Sequence, residues 1–144
     1  MTATDALWAA WALRRVRVER LGPAPSALEL HTDGRGRWTD ASSGATLPLP
    51  GCLDVDICPS PFTNSLPIRR LAAIPREPVA LDVALVALPD LAVHAARREY
   101  TRIERRDDGA RWRFRSLDSD FAAELPVDRD GLVLDYPGIA RRLR

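Results

Sequence analysis

Apolar and polar residues alternate with a period of two along much of this chain, and that rhythm predicts strands. From Arg14 to Glu19, Val16 and Val18 fall on one face and Arg15, Arg17 and Glu19 on the other, as in a half-buried strand. Turn formers fill Gly22–Ser26. Leu28 and Leu30 then alternate with Glu29 and His31, and Asp33–Gly36 turns the chain into Arg37–Asp40, which predicts a hairpin. Pro78–Leu88 is almost continuously apolar, rich in Val and flanked by Pro75, Pro78 and Pro89, so a buried strand is expected there rather than a short buried helix. Glu99–Arg106 and Arg111–Ser116 face each other across an Asp-Asp-Gly turn, with Trp112 and Phe114 on one side and Arg111, Arg113 and Arg115 on the other. A third hairpin is expected from Phe121–Asp128, a turn at Arg129–Gly131, and Leu132–Tyr136. Only the segment from Pro137 to Arg144 suggests a short helix, its proline sitting where a first turn needs no N–H.

Hairpins with turn signals about every ten residues predict an all-β fold: a curved antiparallel sheet, or partly open barrel-like roll, with little helix. The 12 prolines and 8 glycines agree with so many turns. A chain of 144 residues fits one domain over positions 1–144. A curved sheet must cover its concave apolar face or leave a pocket there.

Charge narrows the partners. The 21 basic and 20 acidic residues nearly cancel, so no overall field draws the protein to nucleic acid or an anionic membrane. Every basic residue is Arg, a planar fork suited to gripping carboxylate or phosphate with two bonds. No run approaches the ~20 apolar residues of a membrane span. The apolar opening around Trp8 and Trp11 follows Asp5 and is short, which reads as structure rather than a signal peptide and predicts a cytoplasmic protein. Cys52 and Cys58 match no zinc or redox spacing and are expected to be reduced thiols.

Candidate chemistry centres on "GCLDVDICPSPFTNSLPIRRL", Gly51–Leu71. Asp54 and Asp56 share one side of a presumptive strand, roughly 7 Å apart. They can serve as a metal or sugar site or as an acid/base pair; the pattern resembles the Asp-x-Asp of nucleotide-sugar transferases, but that chemistry normally sits at a parallel-sheet crevice, and no strand–helix–strand unit is expected here. The plainer reading has Arg69 and Arg70 return to clamp them with forked hydrogen bonds. The segment from Pro59 to Arg70 reads as a rigid crossover loop, with Phe62 and Leu66 anchored inward. Thr63 and Asn64 either lock that loop by bonding nearby backbone or meet a ligand's hydroxyls. Trp8, Trp11, Trp38 and Trp112, with Tyr100 and Tyr136, either pack the core or line a cavity. His31 and His94 are expected at the surface, without the companions that a metal site or catalytic base needs. Nucleophile-elbow, phosphate-loop, dinucleotide and zinc-protease motifs are absent from the sequence, so no catalytic residue, metal or cofactor is assigned.

The block "GCLDVDI…PFTNSLPIRRL", followed by "EYTRI" and "VDRDGLVLDYPG", resembles the glycolipid-binding protein family of bacteria from about Trp11 to the C-terminus. The resemblance implies a curved all-β fold with a concave apolar interior that holds a glycolipid or other amphiphile, with Asp54, Asp56, Phe62, Thr63, Asn64, Arg69, Arg70, Tyr100 and Tyr136 as the motif residues. Three departures stand out. Glu99 replaces a Gln before the Tyr-Thr pair, Ile139 and Ala140 stand where an aromatic follows "YPG", and relatives carry several strands before the segment matching Trp11. A start codon placed too late is therefore expected; a chain complete as it stands would expose a sheet edge and either dimerise or be marginally folded. Two other functions remain open at this stage. One is an enzyme acting on a sugar or lipid intermediate with Asp54 or Asp56 as acid/base; the other is an interaction module that recruits a partner strand through a free edge.

Overall fold

A computed structural model describes residues 12–58, 60–72 and 77–143. Trp8, Trp11, Pro59 and Pro75 lie outside the described residues. The fold is all-β, with eleven strands and one short α-helix among the described residues. They divide into two compact units: unit 1 takes 12–58 and 82–95, and unit 2 takes 60–72, 77–81 and 96–143.

Unit 1 begins with the four-stranded antiparallel sheet β1-β2-β3-β4, formed by Arg15–Arg20, Ser26–Thr32, Trp38–Asp40 and Thr46–Leu47. The register sets Val16 opposite Leu30 and Val18 opposite Leu28, so the apolar alternation of both strands falls on one face. Asp33 closes the β2–β3 turn by accepting from the backbone N–H groups of Arg35 and Arg37 at 2.7 and 3.0 Å. Gly36 adopts φ +99°, and a Cβ there would meet the Gly51 backbone N at 3.3 Å, so both the conformation and the space call for glycine. The core of the unit includes Leu30, Trp38, Leu49, Cys52, Val55, Val83 and Val86. Trp38 is wholly buried and donates its indole N–H to the Cys52 carbonyl at 2.7 Å.

A second sheet runs β5-β6-β7-β8-β9, from Asp54–Ile57, Val79–Ala87, Ala92–Arg106, Gly109–Ser116 and Ala122–Asp128. Strands β6 and β7 each contribute to both units. The long β7 bulges between Arg102 and Glu104, giving it one more residue than β8 opposite, and bulges of this kind bend and twist a strand. The predicted β7–β8 hairpin is present, with Tyr100 opposite Phe114 and Glu99 opposite Arg115. A two-stranded ribbon, β10 (Asp135–Tyr136) with β11 (Ala140–Arg141), completes the strands.

Three local expectations are corrected. The Pro59–Arg70 segment is not a loop: its described part forms a 3₁₀ turn, Pro61–Asn64, followed by helix α1, Ser65–Leu71. Both prolines are compatible with that. Pro61 opens the 3₁₀ turn and Pro67 lies in the first turn of α1, where no intrahelical N–H bond is lost. Strand β5 pairs with β6 in parallel, Asp54 opposite Val83, so a strand–helix–strand crossover exists after all. Finally, the segment after Pro137 forms β11 rather than a helix, because Ala140 and Arg141 pair back onto Tyr136 and Asp135.

Candidate functional site

The motif residues of unit 2 are organised by α1. Asn64, Pro67, Ile68 and Leu71 follow helical spacing and are all buried, so one stripe of the turn and helix faces inward. Ile68 and Leu71 pack with Tyr100, Trp112, Phe114, Leu125, Val127 and Tyr136 in one core cluster.

Asn64 and Tyr100 are brought together, each 2% exposed, with the phenol O–H donating to Asn64 Oδ1 at 2.7 Å. The bond satisfies two polar groups that would otherwise be costly to bury, and it ties the start of α1 to the middle of β7. Thr63 is buried beside Asn64 and donates its hydroxyl to the Ser60 carbonyl at 3.1 Å. The lock expected of Thr63 and Asn64 is therefore visible, although it is made to a tyrosine as well as to backbone. Arg69 donates to the Asp130 carbonyl, and its stem passes close to Gly131, where an added Cβ would meet Arg69 Cγ at 2.8 Å. Arg70 is half-buried on the same helix. Arg102 donates to the Ala72 carbonyl at 2.7 Å and so satisfies the C-terminal end of α1.

Phe62 departs from expectation: it is 61% exposed rather than anchored in the core. The 3₁₀ turn places the inward stripe on Thr63 and Asn64 and turns Phe62 to solvent. Leu66 is half-buried. Asp54 and Asp56 lie on β5 in unit 1, with Asp54 only 1% exposed and Asp56 half-buried. Both make interactions within the protein, as a buried carboxylate must. Among the described residues, no cluster of three or more His, Cys, Asp or Glu side chains is disposed to hold a metal ion.

Unit 1 carries its own electrostatic features. Burial, with Asp82 nearby, pushes the Cys52 thiol up to about 11, while Cys58 is exposed; both are free thiols. Glu29 is held by Arg15 at 3.0 Å, His31 at 2.8 Å and Arg17 at 3.3 Å, and these partners lower its carboxyl to about 2. His31 and His94 are exposed, as expected.

The sequence reading missed three residues in the loop between β8 and β9 and its surroundings: Phe121, Asp118 and Arg98. Phe121 is 42% exposed, yet its ring stacks on Tyr136 with centroids 6.1 Å apart and lies 6.0 Å from Phe114. Asp118 accepts from the Arg97 backbone N–H at 2.8 Å and lies 3.6 Å from the Arg98 guanidinium. An aromatic directly after the polar run Asp-Ser-Asp was a legible signal for Phe121. Nothing in the local pattern marks Arg98 as buried. Elsewhere in unit 2 an open groove follows the β10–β11 ribbon, lined by Leu134, Asp135, Arg141, Arg142 and Leu143.

Among the described residues, no helix is long and apolar enough to cross a membrane. No match was found among curated proteins. The chain is similar to a DUF1089 family protein from Pseudomonas aeruginosa of known crystal structure, with 38% identity and a TM-score of 0.80 over 99% of this chain and 73% of that one. Residues 6–142 match the model of the family described as "Putative glycolipid-binding", and the chain belongs to that family.

Proposed function

We propose that this protein binds a glycolipid or lipid-like amphiphile in the cytoplasm without transforming it. The observation that carries this reading is the family match over residues 6–142. Geometry adds two supports. An acid or base must come within hydrogen-bond reach of its substrate, and Asp54, half of the candidate carboxylate pair, is sealed from solvent. Phe121, Ile139 and Leu143 reach solvent in unit 2, and Leu143 shares a groove with Asp135, Arg141 and Arg142, polar side chains able to meet a head group. In this reading an apolar cavity of the curved sheet takes the acyl chains, and polar side chains at its rim meet the head group.

The test is native mass spectrometry of protein purified without detergent, followed by organic extraction and lipid analysis. Discrete mass increments that disappear on extraction and yield a glycosylated lipid are expected. A bare mass, combined with no uptake from a bacterial lipid extract and no displacement of an apolar fluorophore, would overturn the proposal.

A further inference from the structure

The loop Leu117–Asp120 carries an arrangement that packing alone does not require. A half-exposed Phe ordinarily keeps some freedom to turn, and exposing its ring to water is unfavourable by about 25 cal/mol per Å². Phe121 has little such freedom. Tyr136 lies nearly parallel to it at 15°, and behind it Phe114 and Tyr100 follow, their centroids 5.4 Å apart. The aromatic series runs from the buried Asn64–Tyr100 bond to the surface and holds the outermost ring in a fixed plane. The loop is pinned as well: Ser116 donates its backbone N–H to the Phe121 carbonyl at 2.9 Å, and Phe121 donates its own to Ser119 Oγ at 3.3 Å.

Three residues before that ring, on the same loop, stands a carboxylate that is also held by the protein. Asp118 accepts from the Arg97 N–H on one oxygen, and the Arg98 guanidinium lies near the same atom. Arg98 is itself buried, donating to the Arg97 carbonyl and to Ser116 Oγ, both at 3.1 Å, with its guanidinium carbon 5.9 Å from the Phe114 centroid. The Asp118 side chain nevertheless remains 52% exposed. A flat apolar ring and a held, solvent-facing carboxylate three residues apart on one loop match the two halves of one ligand. The ring accepts an apolar C–H face, and the carboxylate accepts hydroxyl donors from the ligand's edge. Holding both in place before binding reduces the ordering cost that weakens most sugar contacts. The negative charge disfavours phosphate or carboxylate ligands.

We propose that Phe121, Asp118 and the positioning residue Arg98 form a subsite for a neutral hexose ring, resting on the reading of the protein as a glycolipid binder. The hexose can be a lipid head group or a free saccharide. Binding of methyl and short-chain alkyl hexosides, with the matching alkanol as a control, is measured by saturation-transfer NMR and calorimetry on the full-length protein. Phe121→Leu retains apolar bulk but loses the flat face, and Asp118→Asn retains an acceptor but loses the charge. Each is expected to weaken hexoside binding about tenfold, the equivalent of roughly 1.4 kcal/mol. Thermal unfolding of both variants separates loss of the subsite from loss of the fold.

Equal affinity for methyl and alkyl hexosides, lost in both folded variants, supports the subsite and identifies a free saccharide. Tighter binding of the alkyl form, also lost in the variants, supports it and identifies a lipid head group. Undiminished hexoside binding by the folded variants overturns the subsite while leaving the glycolipid function standing. Binding of alkanol as tight as hexoside, or no hexoside binding by the wild type, also overturns it. Conversely, methyl hexoside binding by a protein that retains no lipid preserves the subsite and refutes the wider function.

Discussion

Unit 1 buries Trp38 completely and satisfies its indole N–H with the Cys52 carbonyl at 2.7 Å; unit 2 buries Tyr100 and satisfies its phenol with Asn64 Oδ1 at the same distance. Each unit thus contains a large aromatic whose polar tip is paired within the core. The partners differ in kind. Trp38 bonds a backbone group that every residue type possesses, so the pairing depends on chain path, whereas Tyr100 bonds the chain's sole asparagine, so the pairing depends on one side chain. Substitution should therefore separate volume from hydrogen bonding differently in the two units.

The largest effect is expected for Trp38→Ala, which removes both the ring and the bond and should cost about 3–5 kcal/mol. Trp38→Phe retains most of the volume but orphans the carbonyl, for a smaller loss of about 1–3 kcal/mol. Chemical denaturation monitored by circular dichroism distinguishes the two. Equal losses would mean that the hydrogen bond, rather than the filling of space, dominates in unit 1.

In unit 2, Tyr100→Phe and Asn64→Ala should each cost about 1–3 kcal/mol, since either leaves a buried group without its partner. The double variant should cost less than the sum, with a coupling of about 0.5–3 kcal/mol. Additivity would show that the two side chains stabilise the unit through separate contacts, and the proposed contrast with unit 1 would fail.

These two anchors also mark how far the sequence could be read. The alternation of β1, β2, β7 and β8 was legible because one face of each is buried and a period of two has no competing interpretation there. Helix α1 was hidden by its prolines and by a polar residue on its buried stripe. Asn64, Pro67, Ile68 and Leu71 do have helical spacing, but Asn64 counts as apolar-facing only once Tyr100 is known to satisfy it. The parallel β5–β6 pairing then follows from the helix, because a parallel return requires a crossover long enough to hold one. Among the motif residues, Asn64 and Tyr100 were both legible from the sequence, while their direct bond was not, since it joins positions 36 apart. Arg98 and Asp118 were missed for a similar reason: their significance comes from what β7 and the β8–β9 loop bring together, not from spacing.

Charge sharpens the comparison from the outside. Glu29, on the surface of unit 1, has its carboxyl lowered from 4.5 to about 2, first by Arg15 and then by His31 and Arg17. A carboxyl depressed in the folded state stabilises above its unfolded value and loses that contribution as pH falls through the folded one. Unfolding of the wild type should therefore become progressively easier between about pH 4.5 and about pH 2, and Glu29→Gln should flatten that part of the acid limb. High salt should shrink the difference, because the cluster is partly exposed. An unchanged acid limb in the variant would mean that these ion pairs persist in the unfolded chain or contribute nothing.

The smallest stability effect is expected at Phe62, and it separates residence in a motif from residence in the core. Its neighbours Thr63 and Asn64 are buried, but Phe62 is turned to solvent at the head of the 3₁₀ turn. Phe62→Ser should thus change unfolding free energy by no more than about 0.5 kcal/mol, the usual range for a surface substitution. Asn64→Ala, two positions along, provides the internal reference with its much larger loss. If Phe62→Ser instead destabilised the protein as strongly as Asn64→Ala, the ring would be packed in solution, and the assignment of the inward stripe to Asn64, Pro67, Ile68 and Leu71 would have to be rotated. A small stability change accompanied by weaker retention of an amphiphile would place Phe62 on the ligand-contacting surface, where an exposed aromatic has a reason to stand.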